Sequence, residues 1–273
     1  MSAQRQETWR LLDTGEAPGA WNMAVDEALL LCVGSRGCPP AVRFFRWRPA
    51  CLSLGYFQSA RRDVDVERCR ELGVDIVRRP TGGRAVFHHQ EMTYSVAAPD
   101  GHPAVAGGVA AAYRSIAAGL VAGLRRLGAD ARLAPPLPPG VALPRSGACF
   151  DAAAASEVTV RGRKMVGSAQ VRRDGAVLQH GALLLDFDAS LYLSLFRNGT
   201  QMPAEELDRR VISLREALGR TVAPEEVAGA LREGFQEALG VSLEPGELCA
   251  EERHAADELM RRKYGNTEWN LRR

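Results

Sequence analysis

Residues 157–185 read EVTVRGRKMVGSAQVRRDGAVLQHGALLL. Three runs, 157–160, 163–171 and 176–185, carry the β-branched and apolar residues of strands. They are separated only by Arg161-Gly162 and Asp174-Gly175. A two-residue Asp-Gly break between such runs is a strong tight-hairpin signal, because both turn positions need φ > 0. Two consecutive hairpins require antiparallel pairing, which excludes a doubly wound, purely parallel sheet.

Outward from this stretch, apolar residues at helical spacing without Gly or Pro predict a helix over 20–33. Strands are predicted over 41–47 and 51–55, broken by Arg48-Pro49, then a helix over 64–72 with Asp63 as N-cap and Gly73 as its stop. Residues 75–78, 85–88 and 92–98 read as further strands, and 108–127 as a long helix ended by Gly128. Five prolines in 135–144 rule out regular structure there and imply a surface loop leading to Cys149. The C-terminal third reads as helices over 189–196, 213–218, 224–239 and 246–264. Strands and helices interleave irregularly, so the expected class is α+β: a large mixed sheet with hairpins and packed helices. The expected division is a catalytic domain over 1–244 and a small helical segment over 245–273 packed on it.

The chain has 273 residues, 46% hydrophobic and 25% charged, an ordinary globular balance. A net charge of +2 gives no general pull toward nucleic acid or anionic membrane. No run approaches the ~20 apolar residues of a membrane helix, and residues 1–10 lack a signal-peptide core. A cytoplasmic protein is expected, and a monomer, since no heptad seam appears. The six cysteines, Cys32, Cys38, Cys51, Cys69, Cys149 and Cys249, show no CxxC or Cys/His spacing and read as free thiols. His88, His89 and Glu91 lack further ligands at sensible spacing, so no metal is expected.

Only two of the 35 basic residues are lysine, Lys164 and Lys263. A lysine kept in such an arginine-biased chain marks a place where arginine fails, since arginine cannot give up its proton. Lys263, beside Arg261 and Arg262, reads as part of a solvated helix face. Lys164 lies in the glycine-punctuated run Gly162–Ala169 and is either an exposed strand lysine or a functional one.

Four places could carry chemistry. The run RRPTGGRAVFH, 78–88, brings Arg79, Gly82, Gly83, Arg84 and His88 together, and adjacent glycines let successive N–H groups form an anion-binding nest. Lys164 and Gly167 form the second. Cys149, among small residues, is a buried inert thiol or a nucleophile whose thiolate a nearby ammonium would stabilise. His180-Gly181 inside an apolar strand is either a packed histidine or a point of close approach, as the glycine weakens the strand.

Together and in order, RRPTGGRAVFH, CF, GRKMVGSAQ and LQHGALLLD resemble the biotin/lipoate protein-ligase superfamily, and within it the octanoyltransferases of the LipM type. The resemblance runs from NMAVDEALL to KYGNTEWN. It implies the catalytic-domain fold of that superfamily and a transfer of octanoate from octanoyl-acyl carrier protein to a lysine of a lipoyl-domain protein, such as the glycine-cleavage H protein. It implies a thioester on Cys149, with Lys164 lowering the pKa of that thiol, and neither ATP nor metal as cofactor. It implies that Arg79, Gly82, Gly83, Arg84, His88, Gly167, His180 and Gly181 line the substrate site. ATP-dependent lipoate ligases, and lipoyl-domain amidotransferases, are the alternatives. The ligases carry a third glycine where this chain has Arg84, and the family's usual aspartate after the histidine is here His89. Arg145, Arg161 and Arg163 either receive an acidic carrier protein or form a solvated surface.

Overall fold

The computed structural model describes residues 7–135, 157–197 and 202–272. In chain order its elements are β1 (Thr8–Ala17), α1 (Gly19–Ser35), β2 (Ala41–Trp47), β3 (Cys51–Leu54), α2 (Ala60–Asp63), α3 (Val66–Glu71), β4 (Asp75–Arg78), β5 (Val86–His88) and β6 (Glu91–Pro99). Then come α4 (Gly108–Arg126), β7 (Ala131–Leu133), β8 (Val158–Val160), β9 (Arg163–Arg173), β10 (Ala176–Leu184), α5 (Ala189–Ser194), α6 (Ala204–Arg210), α7 (Leu214–Leu218) and α8 (Pro224–Leu239). The chain ends with β11 (Ser242–Pro245), α9 (Ala250–Leu259), a π-helical turn (Met260–Tyr264) and α10 (Thr267–Asn270).

Among the described residues, eight strands form one mixed sheet in the order β11-β1-β2-β6-β10-β9-β8-β7, and β4-β3-β5 form a second, smaller one. The class is α+β, as the hairpins require. Arg161 and Gly162 have φ of 52° and 76°, and Asp174 and Gly175 have 55° and 77°. Both turns thus have the paired positive φ of type I′, whose twist matches the strands they join. The parallel pairs are β1 with β2, joined by the α1 crossover, and β1 with β11 in the large sheet, and β3 with β4 in the small one.

The middle strands β6 and β10 are buried nearly throughout because both faces of the sheet are covered. On one face, Phe44, Tyr94, Val96, Val166 and Leu183 pack with Ile116 and Leu120 of α4 and with Leu231 and Phe235 of α8. On the other, Phe45, Ala97 and Leu178 pack with Met23, Val25 and Leu29 of α1. Helix α1 is buried on all sides, since α9 and the π-helical turn lie on its outer surface.

The sequence reading differs from this arrangement in several places. The helix expected over 64–72 is α3, Val66–Glu71, capped by Asp65, and a separate short helix α2 capped by Ser59 precedes it; the expected cap Asp63 instead ends α2 and pairs with Arg62. Val64 between them is extended and bridges to Phe196, so a tertiary contact overrides the local propensity. Strands β1, β7 and β11 were not read from sequence, nor were α6 and α10. The proline-rich run lies largely outside the described residues.

Lys263 is no solvated lysine. Its ammonium donates to both oxygens of Glu27 on α1, at 2.8 and 2.6 Å, and lies 4.2 Å from the Trp269 ring. Tyr264 and Arg173 also bind Glu27, whose lone burial would raise its pKa; the Lys263 charge and these hydrogen bonds outweigh that and hold it below the usual range.

The neighbouring acid, Asp26, faces the sheet and is fully buried against the equally buried Arg43, with Oδ1 2.8 Å from the guanidinium. Arg43 also donates to the Asn22 side chain at 2.8 Å and to Thr14 at 2.9 Å. Replacing Asp26 by Ala strands a buried guanidinium that cannot shed its charge, and is expected to lower stability by about 3–5 kcal/mol in urea unfolding.

Candidate active site

A pocket with about 420 Å³ of empty space lies on the α1 face of the large sheet, under the loop between β4 and β5. Its floor follows from register. Gly167, Ala182, Thr93 and Phe45 are in-register partners on β9, β10, β6 and β2, and so share one face; Ala169, His180, Ser95 and Arg43 form the next row on that face. Gly167, Ala169 and Ala182 project almost nothing above the sheet, so the floor is a shallow groove crossing the strands. Met23, Trp47 and Val86 close its sides.

The glycine loop above it is held from within. Arg79 donates through Nε to Thr81 Oγ1 at 3.0 Å, and through its two terminal nitrogens to Ser53 O at 2.9 Å, Gly82 O at 2.7 Å and Arg84 O at 2.8 Å. Arg79 therefore lines the pocket but commits its fork of donors to the loop. A Cβ on Gly55 would lie 1.8 Å from Gly83 O, and Gly83 has φ +90°, so two glycines let the β3 end and the loop close on each other. The N–H groups of Gly82 and Gly83 have no partner among the described residues.

His180 belongs to the same network. Its Nδ1 lies 2.8 Å from Asp26 Oδ2 and its Nε2 2.7 Å from Thr81 Oγ1. The carboxylate can only accept, so the proton is on Nδ1, and Thr81 donates its hydroxyl to Nε2 while accepting from Arg79. Burial pushes Asp26 up, but the His180 hydrogen bond and the Arg43 charge outweigh it and keep the acid below its ordinary value. Gly181 is explained by packing on the opposite face: a Cβ there would meet Ser168 Oγ at 2.4 Å and the Tyr94 ring at 2.8 Å.

At the other side His88 stacks flat on Trp47, 3.9 Å between centroids at 15°. Its Nε2 is 2.8 Å from Ser53 Oγ and its Nδ1 3.3 Å from Glu91 Oε1. Thr93 donates to Glu91 at 2.8 Å and accepts from the Trp47 indole N–H at 2.7 Å. Burial, with the Arg79 charge, holds His88 well below its usual value, and burial raises Glu91 to about 8. This wall is polar but uncharged at neutral pH. His89 is exposed and stacks on Phe87.

Lys164 is 2% exposed, and its ammonium donates to the buried Glu157 carboxylate at 2.6 Å. It reaches this position through a bulge. Lys164 lies opposite Thr159 but Val166 lies opposite Val158, so two steps on β9 match one on β8. Lys164 and Val166 consequently point to opposite faces: Val166 to the α4 core, Lys164 to the face of Gly167 and Ala169. Without the extra residue Met165, the ammonium would point into apolar packing.

Six of the residues expected at the site, Arg79, Gly83, His88, Gly167, His180 and Gly181, line the pocket. Gly82 and Arg84 contribute carbonyls to the Arg79 clamp, and Cys149 lies outside the described residues. Arg163, weighed as a docking residue, instead pairs with Glu216 and donates to Val211 O at 2.8 Å. Sequence reasoning missed Asp26, Arg43, Ser53, Thr81, Glu91, Thr93 and Trp47. The signal for Asp26 was present: Asn22 and Asp26 lie at i, i+4 in a helix whose only other charged residue is Glu27.

The profile described as lipoyl protein ligase A/B catalytic domain matches residues 18–236. The chain belongs to that family. It is 48% identical to the octanoyltransferase LipM of Kyrpidia tusciae, over 98% of this chain and 100% of that protein. It is 45% identical to the LipM of Geobacillus kaustophilus, over 98% and 99% of the two chains, and 41% to that of Bacillus subtilis, over 98% and 100%. Membership of this group makes it an enzyme of the acyltransferase class. Among solved structures it is similar to a lipoate-protein ligase A bound with ATP, at TM-score 0.81 and 29% identity over 97% of this chain and 98% of that one. A bi-partite lipoate protein ligase from Thermoplasma acidophilum, solved with its E2 lipoyl domain, gives TM-score 0.78 and 28% identity over 97% and 96%. No helix among the described residues is long and apolar enough to cross a membrane.

The Glu91 shift makes a pH test. The folded acid binds its proton up to about 8 whereas the unfolded one releases it near 4.5, so stability falls as pH rises between those values. Glu91→Gln keeps the shape and removes the titration. It is expected to flatten the pH dependence of urea-unfolding stability across that window, by roughly 2–5 kcal/mol between its ends.

Proposed function

We propose that this chain is an octanoyltransferase of protein lipoylation. It takes octanoate from octanoyl-acyl carrier protein onto Cys149 and delivers it to a lysine of a lipoyl domain, such as that of the glycine-cleavage H protein. The observation that carries this reading is the buried Lys164 ammonium, turned by its bulge to the face that bears the pocket and fixed there by Glu157. Glu157 follows Cys149 closely in the sequence. The curated relatives named octanoyltransferase LipM, matched along nearly the whole chain, support it.

In this mechanism the Cys149 thiolate, favoured by the Lys164 charge, attacks the thioester carbonyl. The Gly82 and Gly83 N–H groups receive the developing oxyanion. The carrier thiolate leaves and takes a proton. The amine of the lipoyl-domain lysine then attacks the Cys149 thioester, the carbon–sulfur bond breaks, and Lys164 relays the amine proton to the departing sulfur. Seven methylenes buried at ~0.8 kcal/mol each supply ~5–6 kcal/mol of gross binding for the chain. The mechanism calls for neither ATP nor metal.

A ligase that activates a free acid with ATP is the second reading, favoured by the likeness to an ATP-bound lipoate-protein ligase. Arg84 at the third-glycine position weighs against it. Incubation with octanoyl-acyl carrier protein, without ATP, is expected to add one octanoyl group by intact mass. Hydroxylamine removes this adduct and Cys149→Ala abolishes it; activity only with ATP and free octanoate means a ligase. Turnover only when an octanoylated lipoyl domain is the donor means an amidotransferase.

Lysine substitutions separate the two roles of residue 164. Lys164→Met loses both adduct formation and transfer, whereas Lys164→Arg keeps charge but cannot release a proton. The arginine variant is expected to form the adduct yet pass it on about 10²–10⁴-fold more slowly in single turnover. Equal rates for Lys164→Arg and the unsubstituted protein would remove Lys164 from the mechanism.

A further inference from the structure

Away from the pocket, where the loop after α1 meets the N-terminus of α9, Cys38 and Cys249 bring their sulfurs to 3.6 Å across 211 residues of chain. Both are half-buried, whereas Cys32 beside them is buried. The contact does not depend on two loose side chains. Arg10 donates to Pro39 O at 2.7 Å and to Glu247 O at 3.2 Å, carbonyls flanking the two cysteines, and grips Glu252 through both oxygens at 2.7 and 2.8 Å. Glu252 Oε2 in turn accepts the Cys249 N–H at 2.8 Å, closing a capping box in which the Cys249 sulfur caps α9. One guanidinium thus fixes both backbone segments, and with them the distance between the thiols.

We propose that Cys38 and Cys249 are a redox-active pair that a peroxide closes to a disulfide, fastening the C-terminal helical segment to the end of α1. A metal site fits less well. The Cys38, Cys249 and Glu252 ligand atoms lie within 4.8 Å of one another, but both Glu252 oxygens are taken by Arg10, and a cation there would face the guanidinium. Two thiols in contact with no free third ligand suit sulfur–sulfur bonding.

The chemistry balances as follows. Burial raises both thiols, Cys249 to about 11, but the hydrogen bond from the Cys249 S–H favours the Cys38 thiolate. Cys38 attacks a peroxide oxygen, the O–O bond breaks, and one water's oxygen leaves as hydroxide, giving a sulfenic acid. Cys249 then attacks the Cys38 sulfur; the S–S bond forms and the sulfenic oxygen departs as water with the proton of Cys249. Two thiols lose two electrons and hydrogen peroxide becomes two waters. The bond would hold α9, and beyond it the turn that carries Lys263 and Tyr264 onto Glu27.

The test uses the whole chain in a Cys149→Ala background, so that its outcome is independent of the transferase reading. After hydrogen peroxide, alkylation of remaining thiols and trypsin, residues 37–43 and 233–253 are expected as one joined peptide, two hydrogens lighter than the pair of free thiol peptides. Dithiothreitol separates them, and either Cys38→Ser or Cys249→Ser prevents the link. The oxidised protein is expected to melt several degrees higher than the reduced one. Cys38 joined to the 11–36 peptide that carries Cys32, or both thiols recovered alkylated or as sulfinic acids, overturns the pair. A correct link with an unchanged melting temperature overturns the fastening.

Discussion

The Asp26 carboxylate is the constraint on which the site depends. Arg43 is buried without any exposed surface and cannot deprotonate, so a carboxylate must sit against it. That carboxylate has a second oxygen, and the oxygen fixes the His180 tautomer. His180 fixes Thr81, Thr81 receives Arg79, and Arg79 holds the carbonyls of Gly82 and Arg84. The loop over the pocket is therefore positioned from the α1–sheet interface through a continuous chain of hydrogen bonds. Glu27, next in sequence, extends the same logic outward, binding Lys263, Tyr264 and Arg173 and so seating the C-terminal segment. Two adjacent acids on one buried helix link the sheet on one side to the chain's end on the other.

The end of the chain reaches the glycine loop by a second route. Arg78, adjacent to Arg79, donates to the carbonyls of Gly55 and Gln58 on one side and of Asn270 and Arg272 on the other. Neighbouring arginines thus divide the work: Arg79 shapes the loop and Arg78 ties the turn beneath it to the last residues. A planar guanidinium with five fixed donors suits both tasks, which a lysine's single ammonium could not perform.

What was legible in the sequence follows from which signals are local. The β8–β9–β10 hairpins carry their own turn chemistry, α4 and α8 carry long helical periodicity, and α1 contains a long run, 20–33, without Gly or Pro, so all were readable. Strand β1 is not, because TWRLLDTGEA is half exposed with a bulge and its pairing is set by partners far along the chain. Strand β11, four residues ending in proline at a sheet edge, has too little side-chain pattern to show itself. The same division holds in the site. Arg79, His88 and His180 could be picked out as residue types in odd places, but whether each grips a ligand or a neighbour is decided by tertiary partners. Lys263 shows the limit of neighbourhood reasoning: flanking arginines suggest solvent, yet the π-helical turn redirects its ammonium onto a buried carboxylate 236 positions away.

Both lysines in the chain therefore end on buried glutamates, but their surroundings differ. Lys263 meets Glu27 among Arg173, Tyr264 and Trp269, a crowded cluster in which its role is to neutralise charge and pack. Lys164 meets Glu157 on a sheet face whose next rows are Gly167 and Ala169, residues that leave open space above them. An arginine at 164 would need room for a planar head and more than one acceptor, and it would remain charged through any reaction. A compact ammonium needs one carboxylate and can exchange its proton. The bulge at Met165 costs a ladder register and leaves one residue unpaired, and it places Met165 and Val166 together in the core on the α4 side of the sheet. It also brings the Lys164 ammonium to the side of the sheet that carries the pocket, although Lys164 is not among the residues that line the pocket.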